Sequence, residues 1–377
     1  MAAPFSFGVI ARNDFYTNRS HEMKLLSGNF RSGINTILIS PRRWGKSSLV
    51  WNTAKRIMRK DKKIRFCFID LFNVRTEHEF YEAYARELIK ASDSKWEDRV
   101  RSVRKFFTRL IPQINLPVDP QNDICLRFEW KNISQSPDEI LDLAENISRT
   151  KKIRMVVCMD EFQNLTFFKD PIGFQKKLRS HWQKHQLTTY CLYGSKRQMM
   201  SALFESSSMP FYKFGDVIFL SKIERNHWID YIMNRFSSTG KSITAVLAAR
   251  IAETMEDHPY FVQQLAQETW QQCPKKCESG HIDEALESLL NKLSILYQRE
   301  TDHLSNGQVN FLRAVCDGVT RFSTREVLEK YQIGTSAASV KIKRALEQKE
   351  VIDTFDQEVR FTDPLYKCWF FKYMMGA

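Results

Sequence analysis

The segment that most constrains this chain is a short apolar run followed at once by a Gly-Lys-Ser turn. Thr36-Ile37-Leu38-Ile39-Ser40 reads as a buried strand, and Pro41-Arg42-Arg43-Trp44-Gly45-Lys46-Ser47-Ser48 leads from it into a helix. Strand, loop and helix in that order leave unpaired amides at the helix start, where they cradle phosphate oxygens. Gly45 lets the backbone approach closely, Lys46 supplies a point charge, and the Ser47 hydroxyl suits Mg2+. The general pattern is G-x-x-x-x-G-K-[ST], and Ser40 stands where its first Gly is usual. Ser serves there if the backbone does not need a positive φ. The competing reading is a chance Gly-Lys-Ser at a helix start.

A second feature points to the same chemistry. Met155-Val156-Val157-Cys158-Met159-Asp160-Glu161 places two carboxylates just past another buried strand. Ligands of open α/β sheets sit outside the carboxyl ends of the strands. Asp160 there would hold Mg2+, and Glu161 would orient and deprotonate an attacking water. The plainer alternative is an acidic cap on the next helix. Ser195, after a strand at Leu187–Tyr193, is a candidate γ-phosphate sensor, with Lys196 or Arg197 as substitutes; a turn plus helix cap explains it equally well.

Further strands are expected at Arg65–Leu71 and Asp216–Leu220, with helices at His21–Gly28, Glu77–Ile89 and Pro137–Arg149, the last capped near Ser136. Alternating strands and helices mean a parallel sheet covered on both faces. Beyond about residue 222 the pattern is helical: Arg225–Ser237, Ser242–Met255, Tyr260–Gln272 and a segment after Ile282. From about 301 come two short helices, Gly307–Cys316 and Thr324–Tyr331, and a longer one, Ser336–Lys349. A strand pair across Asp356-Gln357 completes the order of a winged helix. The expected fold class is therefore α/β, a P-loop NTPase parallel-sheet core with a helical lid and a C-terminal winged helix; the resemblance given below makes that core one of AAA+ type. The expected domains are 1–222, 223–300 and 301–377.

The net charge of +13 favours polyanionic partners, or is simply a solvated basic surface. Residues 301–377 carry 11 Lys and Arg against 10 Asp and Glu, short of a strong nucleic-acid footprint. Lys341, Lys343, Arg344 and Lys349 on the third helix still make DNA a candidate partner there. The stretch 95–109, with Trp96, Phe106 and Phe107, reads as a basic amphipathic helix. The eight cysteines are scattered in the manner of reduced core thiols. Cys273 and Cys277 are the one close pair, spaced for a single helical turn, and no second pair or His pair completes a zinc site. No apolar run is long enough to span a membrane and no signal peptide is evident, so a cytoplasmic protein is expected.

Together these residues resemble the archaeal-type ATPase family of the AAA+/STAND class, which also occurs in bacteria. The resemblance covers nearly the whole chain. It rests on Asn18-Arg19 before a helix with Glu22, the loop Pro41–Leu49, Ile69-Asp70-Leu71 with Asn73-Val74-Arg75, Met159-Asp160-Glu161-Phe162-Gln163, and His258-Pro259-Tyr260-Phe261. It implies ATP and Mg2+ as cofactors, Asn18 and Arg19 near the adenine, and His258-Pro259 packing on the nucleotide from the lid; a plain helix start is the alternative for that pair. It implies a switch acting on an unidentified protein partner or DNA, and self-association. A scaffold that holds ATP without turnover is the remaining alternative. Tyr260–Gln264 supplies no lid Arg, and Lys213 stands near where an arginine finger would be sought.

Overall fold

The computed structural model describes residues 3–11, 16–93, 102, 105–106, 113–115, 125–127, 137–355 and 358–376. Most of the 95–109 stretch, Ser136 and the Asp356-Gln357 turn lie outside the described residues. The described chain forms two compact units, 19–221 and a second made of the N-terminal residues with 222–377.

The first unit is an α/β layer. Five strands, β1 (Thr36–Ile39), β2 (Ile64–Asp70), β5 (Arg154–Asp160), β6 (Thr188–Gly194) and β7 (Asp216–Phe219), pair in the order β2-β5-β6-β1-β7. All four pairings are parallel. Two short antiparallel strands, β3 (Gln113–Asn115) and β4 (Cys125–Arg127), stand apart from this sheet. Helices α1 (Ser20–Ser32), α2 (Lys46–Lys60), α3 (Glu77–Ser92), α4 (Asp138–Leu141), α5 (Leu143–Lys151), α6 (Pro171–Trp182) and α7 (Arg197–Glu205) accompany the strands.

The sheet is apolar on both sides, as a covered parallel sheet must be. Ile37, Ile39, Ile69, Val157, Met159 and Leu192 point into one core with Phe80, Leu88, Leu143 and Leu178 of the helices. Leu38, Val156, Cys158 and Cys191, alternating with them, are buried on the opposite face. Phe30 of α1 meets Phe66 of β2 at 5.5 Å between ring centroids. Helix α3 starts where the sequence dictates: Thr76 and Glu79 form a reciprocal capping box.

One helix expected as continuous is broken. Pro137–Arg149 divides at Asp142, whose φ of −92° and ψ of 1° leave the helical region. The Asp142 carboxylate accepts from His181 Nδ1 at 2.8 Å and pairs with His185 Nε2 at 3.1 Å. His185 Nδ1 in turn meets the buried hydroxyl of Tyr190, which meets that of Tyr84 at 3.2 Å.

The second unit is largely helical. It contains α8 (Arg225–Ser237), α9 (Ala245–Thr254), α10 (Pro259–Gln272), α11 (Ser279–Asp302), α12 (Asn306–Cys316), α13 (Arg325–Lys330) and α14 (Ser336–Gln348). The antiparallel pair β8 (Ile352–Phe355) and β9 (Glu358–Phe361) follows, then α15 (Pro364–Met374). The order α12, α13, α14, β8, β9 is that of a winged helix. Helix α15 extends it beyond what the sequence suggested. A single apolar cluster joins Phe5, Trp228, Ile251, Phe261, Leu290, Phe311, Leu346 and Phe370. Helix α11 runs unbroken through residue 301, so the helical segment and the winged helix share one element. Cys67, Cys158, Cys191, Cys273, Cys277, Cys316 and Cys368 are free thiols.

Candidate functional site

Strand register fixes which chain segments meet at the carboxyl edge of the sheet. Ile39 pairs with Gly194, Met159 with Leu192, and Asp70 with Asp160. The loop after β1, the carboxylates after β5 and Ser195 after β6 therefore emerge side by side.

The loop Ser40–Gly45 turns through two left-handed residues, Arg43 at φ +62° and Gly45 at +86°. Nothing lies within 4 Å of a Cβ placed on Gly45, so glycine is required there for its backbone angle and not for space. Ser40 does not have a positive φ, which is why it can replace glycine at that position. Its hydroxyl donates to the carbonyl of Pro41 at 3.1 Å. Ser48 and Trp44 are buried, while Arg42 and Arg43 are exposed and Pro41 is half-buried.

Lys46 opens α2 and is buried; its ammonium donates to the Pro41 carbonyl at 3.2 Å. Burial pulls its pKa below the ordinary lysine value, against the pull of Asp160 and Glu161 in the other direction. Ser47 Oγ donates to Asp160 Oδ2 at 2.6 Å. Burial pushes the Asp160 carboxyl up to about 6, although the Ser47 hydrogen bond and the Lys46 charge oppose the rise. The buried Lys46 ammonium and the half-buried Asp160 carboxylate thus stand at the same edge of the sheet, each with its charge disfavoured by burial.

Glu161 sits at φ +54°, an uncommon angle for a non-glycine residue. Its Oε2 accepts from Ser195 Oγ at 2.9 Å and from the side-chain amide of Gln163. Gln163 is fully buried, and its Oε1 has no hydrogen-bond partner among the described residues. A Cβ on Gly194 would stand 1.9 Å from that Oε1, so glycine leaves the room that Gln163 occupies. Sequence reasoning quoted Gln163 within a motif but gave it and Gly194 no task. The one signal was Gln163's place two residues after Glu161.

Arg19 lies in the first unit and reaches the loop. It donates to the Trp44 carbonyl at 3.3 Å, to the Ser221 carbonyl at 2.5 Å and to Glu22 at 2.9 Å. Asn18, His258 and Pro259 belong to the second unit. His258 caps α10, its Nδ1 accepting from the Tyr260 amide at 3.3 Å, and Pro259 takes the first helical position. Lys213 has φ +52° and lies 5.2 Å from the ring of Tyr212. Cys273 and Cys277 do not share a helical turn. Cys273 ends α10 and Cys277 lies in the following loop.

No protein-family model matches the chain, and no curated protein matches it. Among solved structures it is similar to a Walker-type ATPase of Pyrococcus abyssi, at 17% identity and a TM-score of 0.63, covering 95% of this chain and 97% of that one. It is also similar to the ORC2 protein of Aeropyrum pernix in its ADPNP–ADP complexes, at 13% identity and a TM-score of 0.58, covering 100% and 99%. Likeness at such identity speaks for the fold, and both matches run the length of the chain. With its five-stranded parallel sheet, phosphate-loop geometry, helical segment and winged helix, the chain has a P-loop fold of AAA+ type.

Proposed function

We propose that the chain binds Mg-ATP at Ser40–Ser48, hydrolyses it slowly and uses the nucleotide state to act on a partner. The observation that carries this reading is the 2.6 Å contact between Ser47 and Asp160, beside the buried Lys46 ammonium. These are the residue types that hold Mg2+ and a terminal phosphate. The raised carboxyl of Asp160 and the lowered ammonium of Lys46 both gain from a bound cation and polyphosphate.

In this reading the loop amides and the first turn of α2 bind phosphate oxygens, and Lys46 neutralises their charge. Ser47 and Asp160 are the residues that would hold Mg2+, which when bound polarises the phosphoryl oxygens. Glu161 takes a proton from the attacking water. Ser195 and Gln163 fix the carboxylate in place through its Oε2. Arg19 steadies the loop at Trp44, while Asn18, His258 and Pro259 remain assigned to the nucleoside side by resemblance alone. Helix α10 contains no arginine, and Lys213 lacks the guanidinium fork. Fast turnover therefore needs an Arg from a partner or a second copy. We keep 1–222, 223–300 and 301–377 as the working division into core, lid and winged helix.

The test compares ATP binding and phosphate release in wild type, Lys46→Ala and Glu161→Gln, with and without duplex DNA. Wild-type binding with no turnover under any condition would leave the scaffold reading.

A second reading, nucleotide-gated DNA binding, is favoured by the exposure of Lys341 and Arg344 on α14. Lys349 contributes less, because its ammonium already donates to the His303 carbonyl at 2.8 Å. Affinity of the full chain for duplex DNA that falls steeply with salt supports it; no salt-dependent affinity points to a protein partner.

A further inference from the structure

The turn between α10 and α11 gathers a second set of residues with no part in the phosphate site. Cys273 ends α10, Cys277 lies four residues on, and His281 occupies the first turn of α11. One ligand atom from each, two sulfurs and a ring nitrogen, all lie within 4.8 Å of one another. We infer that Cys273, Cys277 and His281 form a binding site for a zinc-class divalent cation, which clips the start of α11 to the end of α10.

The donor set selects the ion. Two thiolates and an imidazole suit zinc, whereas Mg2+ and Ca2+ prefer oxygen. Tetrahedral bonds of about 2.3 Å to sulfur and 2.0 Å to nitrogen need ligand atoms about 3.5–3.8 Å apart. The observed spread, up to 4.8 Å, requires a contraction of about 1.0–1.3 Å at most. Both thiols are free and buried, while His281 is half-buried.

The turn is already braced around the sulfurs. Cys277 N–H donates to the Ser242 carbonyl and Ser242 N–H to the Lys275 carbonyl, each at 2.8 Å. The Lys241 ammonium donates to the carbonyls of Trp270 at 2.7 Å and Cys273 at 2.5 Å. Burial raises both thiols above their ordinary value, and the Lys241 charge offsets only part of the rise at Cys273, so the donor geometry rather than a preformed thiolate is what marks the site. His281 Nδ1 accepts from the Glu278 amide at 3.0 Å, which orients the imidazole at the start of α11. Binding releases the two thiol protons.

The test uses the full chain, reduced and stripped of metal, titrated with Co2+ and then Zn2+. The expected result is one Co2+ per chain with a thiolate-to-cobalt charge-transfer band, displaced by Zn2+, and a rise in Tm on metal addition. Cys273→Ser and Cys277→Ser should each abolish the band, and His281→Ala should lower the affinity. A cation bound at Ser47 and Asp160 gives no thiolate band, so the two sites are distinguished. Absence of the band in wild type overturns the proposal even if the variants fail to fold. So does its persistence in Cys277→Ser, or isolation of the chain with a Cys273–Cys277 disulfide.

Discussion

The hydroxyl of Ser47 donates to Oδ2 of Asp160 at 2.6 Å, joining the first turn of α2 to the end of β5 across 113 positions of sequence. This one bond places a helix start and a strand end at the same point. Ser47→Ala should lower Mg-dependent ATP affinity by about 1–3 kcal/mol, the range of a charge-assisted hydrogen bond. Titration calorimetry with and without Mg2+ measures it; affinity unchanged in Mg2+ would remove Ser47 from the cation site.

Glu161→Gln keeps the shape of the side chain and removes its basicity. Turnover should fall by about 10²–10⁴-fold with ATP affinity retained, as for loss of a general base. Single-turnover phosphate release is the measurement, and turnover equal to wild type would refute the assignment.

Gln163 and Gly194 act together on that carboxylate. In Gly194→Ala the new methyl would meet Gln163 Oε1 at 1.9 Å and Met200 Sδ at 2.9 Å. The overpacking should cost about 1–3 kcal/mol of stability and displace Gln163 from Glu161. Gln163→Leu removes the hydrogen bond without that clash. Both should lower kcat with ATP affinity retained, and an unchanged kcat in Gln163→Leu would make Gln163 structural only.

Asp142 predicts an acid-sensitive core. Burial raises its carboxyl, but hydrogen bonds from His181 and His185 outweigh this and hold it well below the usual carboxylate range. A folded-state value below the unfolded one stabilises the fold fully above the unfolded value, near 3.9, and the gain disappears as pH falls through the folded value. Asp142→Asn should therefore cost about 1–2 kcal/mol near neutral pH, reduced by the half-exposed setting, and progressively less in acid. Urea denaturation across pH checks this; a pH-independent difference would contradict it.

Much of the first unit was legible because its signals are local. An apolar run before Gly45-Lys46-Ser47, or before Asp160-Glu161, states both an element and its end. Helix α8 was read at its observed limits, Arg225–Ser237. Long-range partners were not legible. The partners of Asp142, at the break between α4 and α5, are histidines 39 and 43 positions downstream. Gln163 has its task only because β6 brings Ser195 and Gly194 beside Glu161. Helix α15 lacked a clear amphipathic stripe because the exposed Phe371 and Tyr373 add apolar residues outside the buried set Leu365, Tyr366, Trp369 and Phe370. His281 joined Cys273 and Cys277 only once the turn between the helices was folded.

The most direct test of the central claim is ATP binding by Lys46→Ala in the presence of Mg2+. Wild type should bind, and the variant should lose about 100-fold or more, roughly 3 kcal/mol for a buried charged contact. Equal affinity in the two proteins would mean that the loop after β1 does not hold the nucleotide.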